Sequence, residues 1–329
     1  METIWNSGIN FIVWFQGFGT WLTIPMKFFS FLGSEEFYLL ILPVIYWCID
    51  AGLGLRIGSI VLFSNGLNDI LKLTLHGPRP YWYSTQVKAF AAETSFGVPS
   101  GHAQISTSLW GMGAAYFKRF WAWFLAGFVI LMIGLSRLYL AVHFPHDVLA
   151  GWVIGCLTLW IFLNKWDAVA AWTQKKSMGQ QIGIAFSVSM MMLIMGILAY
   201  GTLKGWVLPV EWLANTQQAG LDVLPSPVSL DSSITSAGVL FGMLAGAAWM
   251  NAKGGYDANG TFNHKVLRLF PGILGTLVLY LGLRAIFPRG DMFIAYFLRY
   301  IRFALVGLWI SAGAPWCFQK LNLAQKKKS

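Results

Sequence analysis

Residues 120–164 read FWAWFLAGFVILMIGLSRLYLAVHFPHDVLAGWVIGCLTLWIFLN. Two apolar runs, about 120–137 and about 146–164, flank a polar hinge that holds Arg137, His143, His146 and Asp147. Each run is close to the roughly 20 residues an α-helix needs to cross a bilayer. Trp121, Trp123 and Trp152 lie near the run ends, where an interfacial aromatic belt belongs. Phe144-Pro145 puts His143 in a turn and lets Asp147 open the next helix. The stretch therefore predicts two membrane spans whose ionisable side chains share one end. Charge at membrane depth is costly, so a cluster of it marks a functional site.

The rest of the chain repeats the pattern. It has 329 residues, 57% hydrophobic and 11% charged. Soluble domains carry roughly 25% charged residues, so this composition cannot coat a water-exposed surface and excludes a large soluble protein. Ten spans are expected, at about 8–31, 36–50, 54–75, one from Ser100, then 120–137, 146–164, 182–201, 232–250, 268–287 and 293–317. Gly17, Gly19 and Pro25 interrupt the first, and Ser34-Glu35-Glu36 opens the second as an N-cap with an acidic first turn. A polar loop over about 76–98 and a Pro-rich connection over 204–231 separate the runs. The expected fold is an all-α polytopic transmembrane helical bundle. Residues 1–170 form a six-span core with the site, and 171–329 add about four spans.

The net charge is +10. A nucleic-acid binder would gather its Lys and Arg on one soluble face, whereas here they lie in short loops and the tail Lys326-Lys327-Lys328, so no nucleic-acid partner is expected. With the N-terminus inside, inside loops and tail carry thirteen basic residues, Arg56, Arg268 and Lys328 among them. The opposite loops carry four, Lys27, Lys88, Lys204 and Arg289, with the motif cations set aside. That asymmetry predicts cytoplasmic termini and an extracytoplasmic site for a multi-pass protein; the membrane is expected to be a bacterial inner membrane. Cys48, Cys156 and Cys317 are too few and too scattered for a disulfide framework or a metal site. Nothing near the N-terminus reads as a cleaved signal peptide.

Three segments carry the chemistry: Lys72-x6-Arg79-Pro80, Pro99-Ser100-Gly101-His102, and Ser136-Arg137-x5-His143-x3-Asp147. Lys72, Arg79 and Arg137 supply point charge and planar forks for phosphate oxygens, and Pro78 and Pro80 restrict the backbone around Arg79. Ser100-Gly101 opens a helix whose free N–H groups suit an anion, and His102, in its first turn, is placed to protonate a leaving oxygen. Asp147 bonded to one nitrogen of His143 leaves the other as nucleophile; His146 is the weaker candidate, because Asp147 is expected to point away from it. A metal held by His102, His143 and Asp147 is disfavoured by three nearby cations, so no metal and no cofactor is expected. Asp69, one turn before Lys72, orients that lysine. Arg284, Arg299 and Arg302 read as snorkelling helix-end cations with an ion pair to Asp291, the alternative being a lipid-headgroup or interface role.

The three segments, in this order and spacing, resemble the signature of the type 2 phosphatidic acid phosphatase superfamily over about residues 8–165, with every fixed position present. Gly33-Ser34-Glu35-Glu36-Phe37 and the extra spans look like the sphingosine-phosphate phosphatase branch and its bacterial relatives. The resemblance implies a phosphohistidine on His143 oriented by Asp147, His102 as general acid, and a phosphate cradle of Lys72, Arg79, Ser100, Gly101 and Arg137. It implies metal-independent hydrolysis of a lipid phosphate or diphosphate, such as a polyprenyl diphosphate, phosphatidic acid, phosphatidylglycerol phosphate or a sphingoid-base phosphate. A phosphotransferase passing phosphate from the same histidine to a lipid or glycan hydroxyl shares the first half-reaction and stays open. A transporter or lipid-binding scaffold is the non-catalytic alternative.

Overall fold

The computed structural model describes residues 2–327; Lys328, the end of the basic tail, lies outside the described residues. Among the described residues the regular structure is helical apart from one isolated bridge between Asp257 and Gln325. In chain order the helices are α1 (Glu2–Gln16), α2 (Thr23–Phe31), α3 (Glu35–Val44), α4 (Ala51–Leu75), α5 (Pro80–Tyr83), α6 (Gly101–Phe117), α7 (Phe120–Tyr139), α8 (Pro145–Gln174), α9 (Met178–Gly201), α10 (Val210–Gln218), α11 (Asp231–Ala252), α12 (Phe262–Leu277), α13 (Leu283–Ile286), α14 (Phe293–Leu308) and α15 (Ala314–Lys320). Six continuous helical stretches are long and apolar enough to cross a membrane, and the bent pair 20–49 would make a seventh.

Two compact units are present: Met1–Phe37, Leu67–Trp160 and Gly196–Leu230 form one, and Tyr38–Gly66, Ile161–Met195 and Asp231–Ser329 the other. In the first unit α7 is the hub, packed by α1, α2 and α6. The start of α8 runs directly against α6: a Cβ at Gly151 would sit 2.6 Å from the Ser100 carbonyl oxygen, and one at Gly155 2.6 Å from that of Gln104. Small residues four apart are what let two membrane helices touch backbone to backbone.

The second unit uses the same device. Gly238, Gly242 and Gly246 line one face of α11 where it meets α14 and the turn beyond it; a Cβ at Gly242 would lie 1.8 Å from the Ala304 carbonyl oxygen. From α14, Gly307 answers, with Val239 O at 2.3 Å from its would-be Cβ. Arg268, fully buried on α12, donates to four carbonyl oxygens, those of Trp47, Ala258, Asn259 and Leu323, at 2.6–2.9 Å.

Several expectations change. The span at 8–31 is two helices, because the chain breaks at Gly17–Gly19, where Gly19 takes φ 105°. Helix α8 runs on to Gln174 rather than stopping near Asn164, since no Gly or Pro interrupts 165–174. The 204–231 connection contains α10. Arg268 is a structural cross-link of carbonyl groups, not a solvated loop charge.

Gly242→Ala should lower the thermal stability of the detergent-purified protein by about 1–3 kcal/mol, the range for overpacking. Gly183→Ala, with nothing within 4 Å of the new methyl, should be neutral or slightly stabilising. Equal melting shifts for the two would refute backbone contact as the reason for Gly242.

Candidate active site

The first unit brings the three motif segments together. Lys72 emerges from the last turn of α4, and its Nζ donates to Ser95 Oγ at 2.8 Å. Arg79, which caps α5, is fully buried. Its Nε donates to Ser95 O at 2.7 Å, its Nη1 to Val142 O at 2.9 Å, and its Nη2 to Ser95 Oγ at 3.0 Å and Phe96 O at 3.2 Å. One guanidinium thus holds the loop before α6 to the hinge between α7 and α8.

Arg79 also fixes the state of His143. Its Nη1 lies 3.3 Å from His143 Nε2. A guanidinium has only donors, so Nε2 must accept and the ring proton sits on Nδ1. That Nδ1 faces Asp147 Oδ2 at 3.4 Å, and the same oxygen accepts from the Phe144 amide at 2.9 Å. His143 is 1% exposed. Burial first, and then the charges of Arg79, Arg137, Lys72 and His102, hold its imidazole well below the ordinary histidine range. It is therefore a neutral imidazole with its Nε2 lone pair turned toward the cations. As expected, His143 stands in a turn and Asp147 lies in the first turn of α8. Asp147 does not point away from His146, however: His146 Nε2 lies 3.2 Å from its other oxygen.

The second segment opens α6. Ser100 is the N-cap, its Oγ accepting from the Ala103 amide at 3.5 Å, and its own amide donates to Asp147 O at 2.9 Å. The helix bearing His102 is thereby pinned to the helix bearing Asp147. At Gly101 a Cβ would meet Asn68 Oδ1 at 3.0 Å, and Asn68 Nδ2 donates to Gln104 Oε1 and Pro99 O. His102 shares its electrostatic surroundings with Arg137, Glu93, Lys72 and Arg79.

Arg137, in the last turn of α7, is 2% exposed. Its Nη1 donates to Ser30 of α2 and its Nη2 to Glu93, while its buried Nε has no protein partner. Glu93 was not picked out by motif reasoning. Its carboxylate is bonded to Arg137 and lies 3.8 Å from Arg79, and the Tyr81 hydroxyl clamps its backbone at 2.9 Å on both sides. Burial alone would raise its pKa, but Arg79, Arg137, His102 and Lys72 together hold it far below the usual carboxylate range. A signal was available: Glu93 is the only carboxylate between Asp69 and Asp147. Ser30 and Ser95 carried no such mark.

The 204–231 connection backs this loop. Ser226 N donates to Thr94 O at 3.1 Å, Asn215 donates to Trp82 O at 2.9 Å, and Trp206 meets Phe96 edge-on at 5.2 Å. Among the described residues, no group of three or more His, Cys, Asp or Glu is arranged to hold a metal.

A cradle of three cations about a neutral, carboxylate-oriented imidazole is equipped to bind and accept a phosphoryl group. Comparison with known proteins agrees. Residues 53–170 match the family model described as PAP2 superfamily, and 234–326 match PAP2 superfamily phosphatase, transmembrane extension. Glucose-6-phosphatase 3 of Bos taurus is 28% identical over 257 residues, 70% of this chain and 71% of that protein. The Homo sapiens glucose-6-phosphatase 3 is 30% identical over 49% of this chain, which spans only 54% of its length. Glucose-6-phosphatase catalytic subunit 1 of Felis catus is 28% identical over 90% of this chain and 88% of its own. The transmembrane PAP2-type phosphatidylglycerolphosphate phosphatase from Bacillus subtilis aligns with TM-score 0.44 and 25% identity over 51% of this chain and 87% of that one. With two family models matched in order, one across the motif segments and one across the C-terminal helices, the chain belongs to the PAP2 superfamily of transmembrane phosphatases.

Proposed function

We propose that the protein removes phosphate from a phosphorylated membrane substrate through a covalent phosphohistidine on His143. The observation that carries this reading is the double orientation of His143, with Nδ1–H toward Asp147 and Nε2 toward Arg79. Nε2 attacks phosphorus, the N–P bond forms, and the P–O bond to the leaving group breaks. His102, protonated in the substrate complex by the negative charge that the phosphate brings beside it, donates to the leaving oxygen. Now neutral, it takes a proton from water, whose oxygen attacks the phosphohistidine to release inorganic phosphate and restore both histidines. Lys72, Arg79 and Arg137, with the Ser100-Gly101 end of α6, hold the equatorial oxygens. Three fixed cations supply the charge stabilisation that a metal supplies elsewhere.

For the substrate we favour a phosphorylated lipid, with a polyprenyl diphosphate among the candidates. Support comes from the PAP2 assignment and from the position of the motif segments at helix ends, the level at which a headgroup lies. A hexose phosphate is the second reading, favoured by the activity printed in the names of the mammalian relatives. The cradle residues touch only the phosphoryl group in either case. The basic-residue asymmetry supports cytoplasmic termini and an extracytoplasmic site, and the three motif segments, all ending by Asp147, support 1–170 as the catalytic region with 171–329 as an addition.

Purified protein with EDTA present should release phosphate from at least one member of a panel of lipid phosphates, lipid diphosphates and hexose phosphates. His143→Ala should reduce kcat by at least about 10³-fold with an unchanged melting temperature. Substantial turnover by that variant removes His143 as nucleophile, and loss with EDTA that a divalent ion reverses removes the metal-free cradle. Glucose 6-phosphate as the fastest substrate would decide for the second reading; phosphate appearing on an added alcohol rather than in water would mark a phosphotransferase.

Because the folded pKa of His143 is depressed, its imidazole stays neutral as pH falls through 6.5. The nucleophile-dependent acid limb of kcat/KM should therefore lie below pH 6.5. A limb centred at or above that value and assigned to His143 would contradict the burial argument.

Glu93→Gln removes a negative charge beside the cradle while leaving a group of the same shape on Arg137. The vanadate inhibition constant should fall by about threefold or more, since a like charge near the bound anion has gone. A rise instead would mean that the carboxylate chiefly holds Arg137 in position.

A further inference from the structure

The C-terminal unit holds a second concentration of cations, and the phosphatase chemistry does not use it. Residues 287–292 join α13 to α14, and together with the first turn of α11 they enclose a cavity of about 330 Å³. Arg284, Arg289, Arg299 and Arg302 line it, with Asp231 and Asp291 as the carboxylates. Asp291 does not make the arginine pair expected of it; it accepts from the Tyr296 hydroxyl at 3.0 Å. Arg299 is the matched cation, with Asp231 at 2.9 Å and Thr235 Oγ1 at 3.1 Å. Among the described residues, Arg284, Arg289 and Arg302 have no carboxylate within ion-pair distance.

Arg302 decides what the cavity is for. A snorkelling arginine carries its head out to water, but Arg302 is 8% exposed. Its guanidinium lies over the rings of Phe303 at 4.7 Å and Tyr280 at 5.8 Å, and its buried Nε has no hydrogen-bond partner. A buried charged donor without an acceptor calls for an ion or a water to satisfy it, and the other unpaired arginines beside Arg302 make the anion the fitting one. Guanidinium forks match phosphate oxygens two at a time. Apolar side chains stand exposed beside the cavity: Ile286, Met292 and Phe293.

We propose that this cavity is an anion site for a phosphate-bearing group, built from Arg284, Arg289 and Arg302 and independent of the catalytic cradle. The group is either the headgroup of an anionic phospholipid, its chains lying along the exposed apolar residues, or a soluble phosphate ester.

The full-length protein, delipidated in detergent, separates the two. Phosphatidylglycerol, phosphatidylcholine and inorganic phosphate are added in parallel, and bound species are counted by native mass spectrometry. One retained phosphatidylglycerol, with no retained phosphatidylcholine, identifies a headgroup. Two bound phosphates, one of them lost in Arg79→Gln, identify a soluble anion. In either case Arg284→Gln/Arg289→Gln, both exposed and safe for folding, should weaken the remaining binding about tenfold or more. Arg302→Met should do the same while keeping its apolar contacts. Binding unchanged in both variants overturns the proposal. The readout does not involve turnover, so a protein that releases no phosphate can still retain this site, and the reverse.

Discussion

The organisation of the site depends on a single fully buried guanidinium. Arg79 sits in apolar surroundings with two further cations, Lys72 and Arg137, close enough to act on it electrostatically. Like charges out of water repel strongly and would drive a small site apart. They stay together because each has acceptors fixed by the fold. Arg79 takes carbonyls from two separate segments, the loop before α6 and the hinge before α8. Lys72 shares Ser95 with it, and Glu93 supplies the one formal negative charge that bridges Arg79 and Arg137. Both segments that meet on Arg79 carry or adjoin the proposed reacting groups, so the acceptors that satisfy the charge position His143 as well.

Close helix contact makes this arrangement rigid. A catalytic constellation is useful only when held within a fraction of an ångström. Here α6 and α8 touch through Gly151 and Gly155, and Ser100 N bonds the Asp147 carbonyl. His102, the proposed proton donor, and Asp147, the proposed partner of the nucleophile, are thus on helices with almost no room to slide. The polar content of α4 and α6 follows from the same demand. Asn68, Asp69 and Lys72 on one, and Gln104, Ser106, Thr107 and Ser108 on the other, are buried, and Asn68 bonds Gln104 across the two helices. Neither helix is among the six stretches apolar and long enough to be read as spans, yet these two carry Lys72 and His102.

Much of this was legible before any coordinates. Hydropathy runs locate most helices because a membrane demands length and apolarity in the same place. The motif spacing picks out the cations and histidines because the proposed phosphoryl transfer calls for charge around the phosphate oxygens, a nucleophile and a proton donor. What resisted reading was contact across large sequence separation. Ser30 reaches Arg137 over more than a hundred residues with nothing local to announce it, and Ser95 does its work through a hydroxyl that any loop might carry. Glu93 was visible as an isolated carboxylate in a charge-poor stretch, but its partnership with two arginines is set by tertiary packing. The nearness of Asp147 Oδ1 to His146 was misjudged, because neighbouring positions suggest diverging side chains, whereas the two carboxylate oxygens of one residue can face different ways; the 3.2 Å approach is not a hydrogen bond, and Oδ1 has no hydrogen-bond partner among the described residues. The first span failed for a local reason, the Gly17–Gly19 break, that the sequence displayed and that hydropathy averaging smooths over.

The loop from Ser84 to Pro99 joins the phosphoryl chemistry to whatever lies beyond the phosphate. On one side it presents Ser95 and Glu93 to the cations. On the other it is backed by the 204–231 connection, through Thr94, Phe96 and the ring of Trp206. A side chain that changes how α10 and its flanks press on this loop therefore changes the position of Glu93 without touching a motif residue. The motif cations need only see phosphate, the same tetrahedral group in a lipid, a diphosphate or a sugar ester. Discrimination must then be applied by segments that are not in the motifs, and this loop is where such a segment meets the cradle. The proposed cradle residues act on the phosphoryl group alone, so the rest of the substrate is left to the segments that press on them.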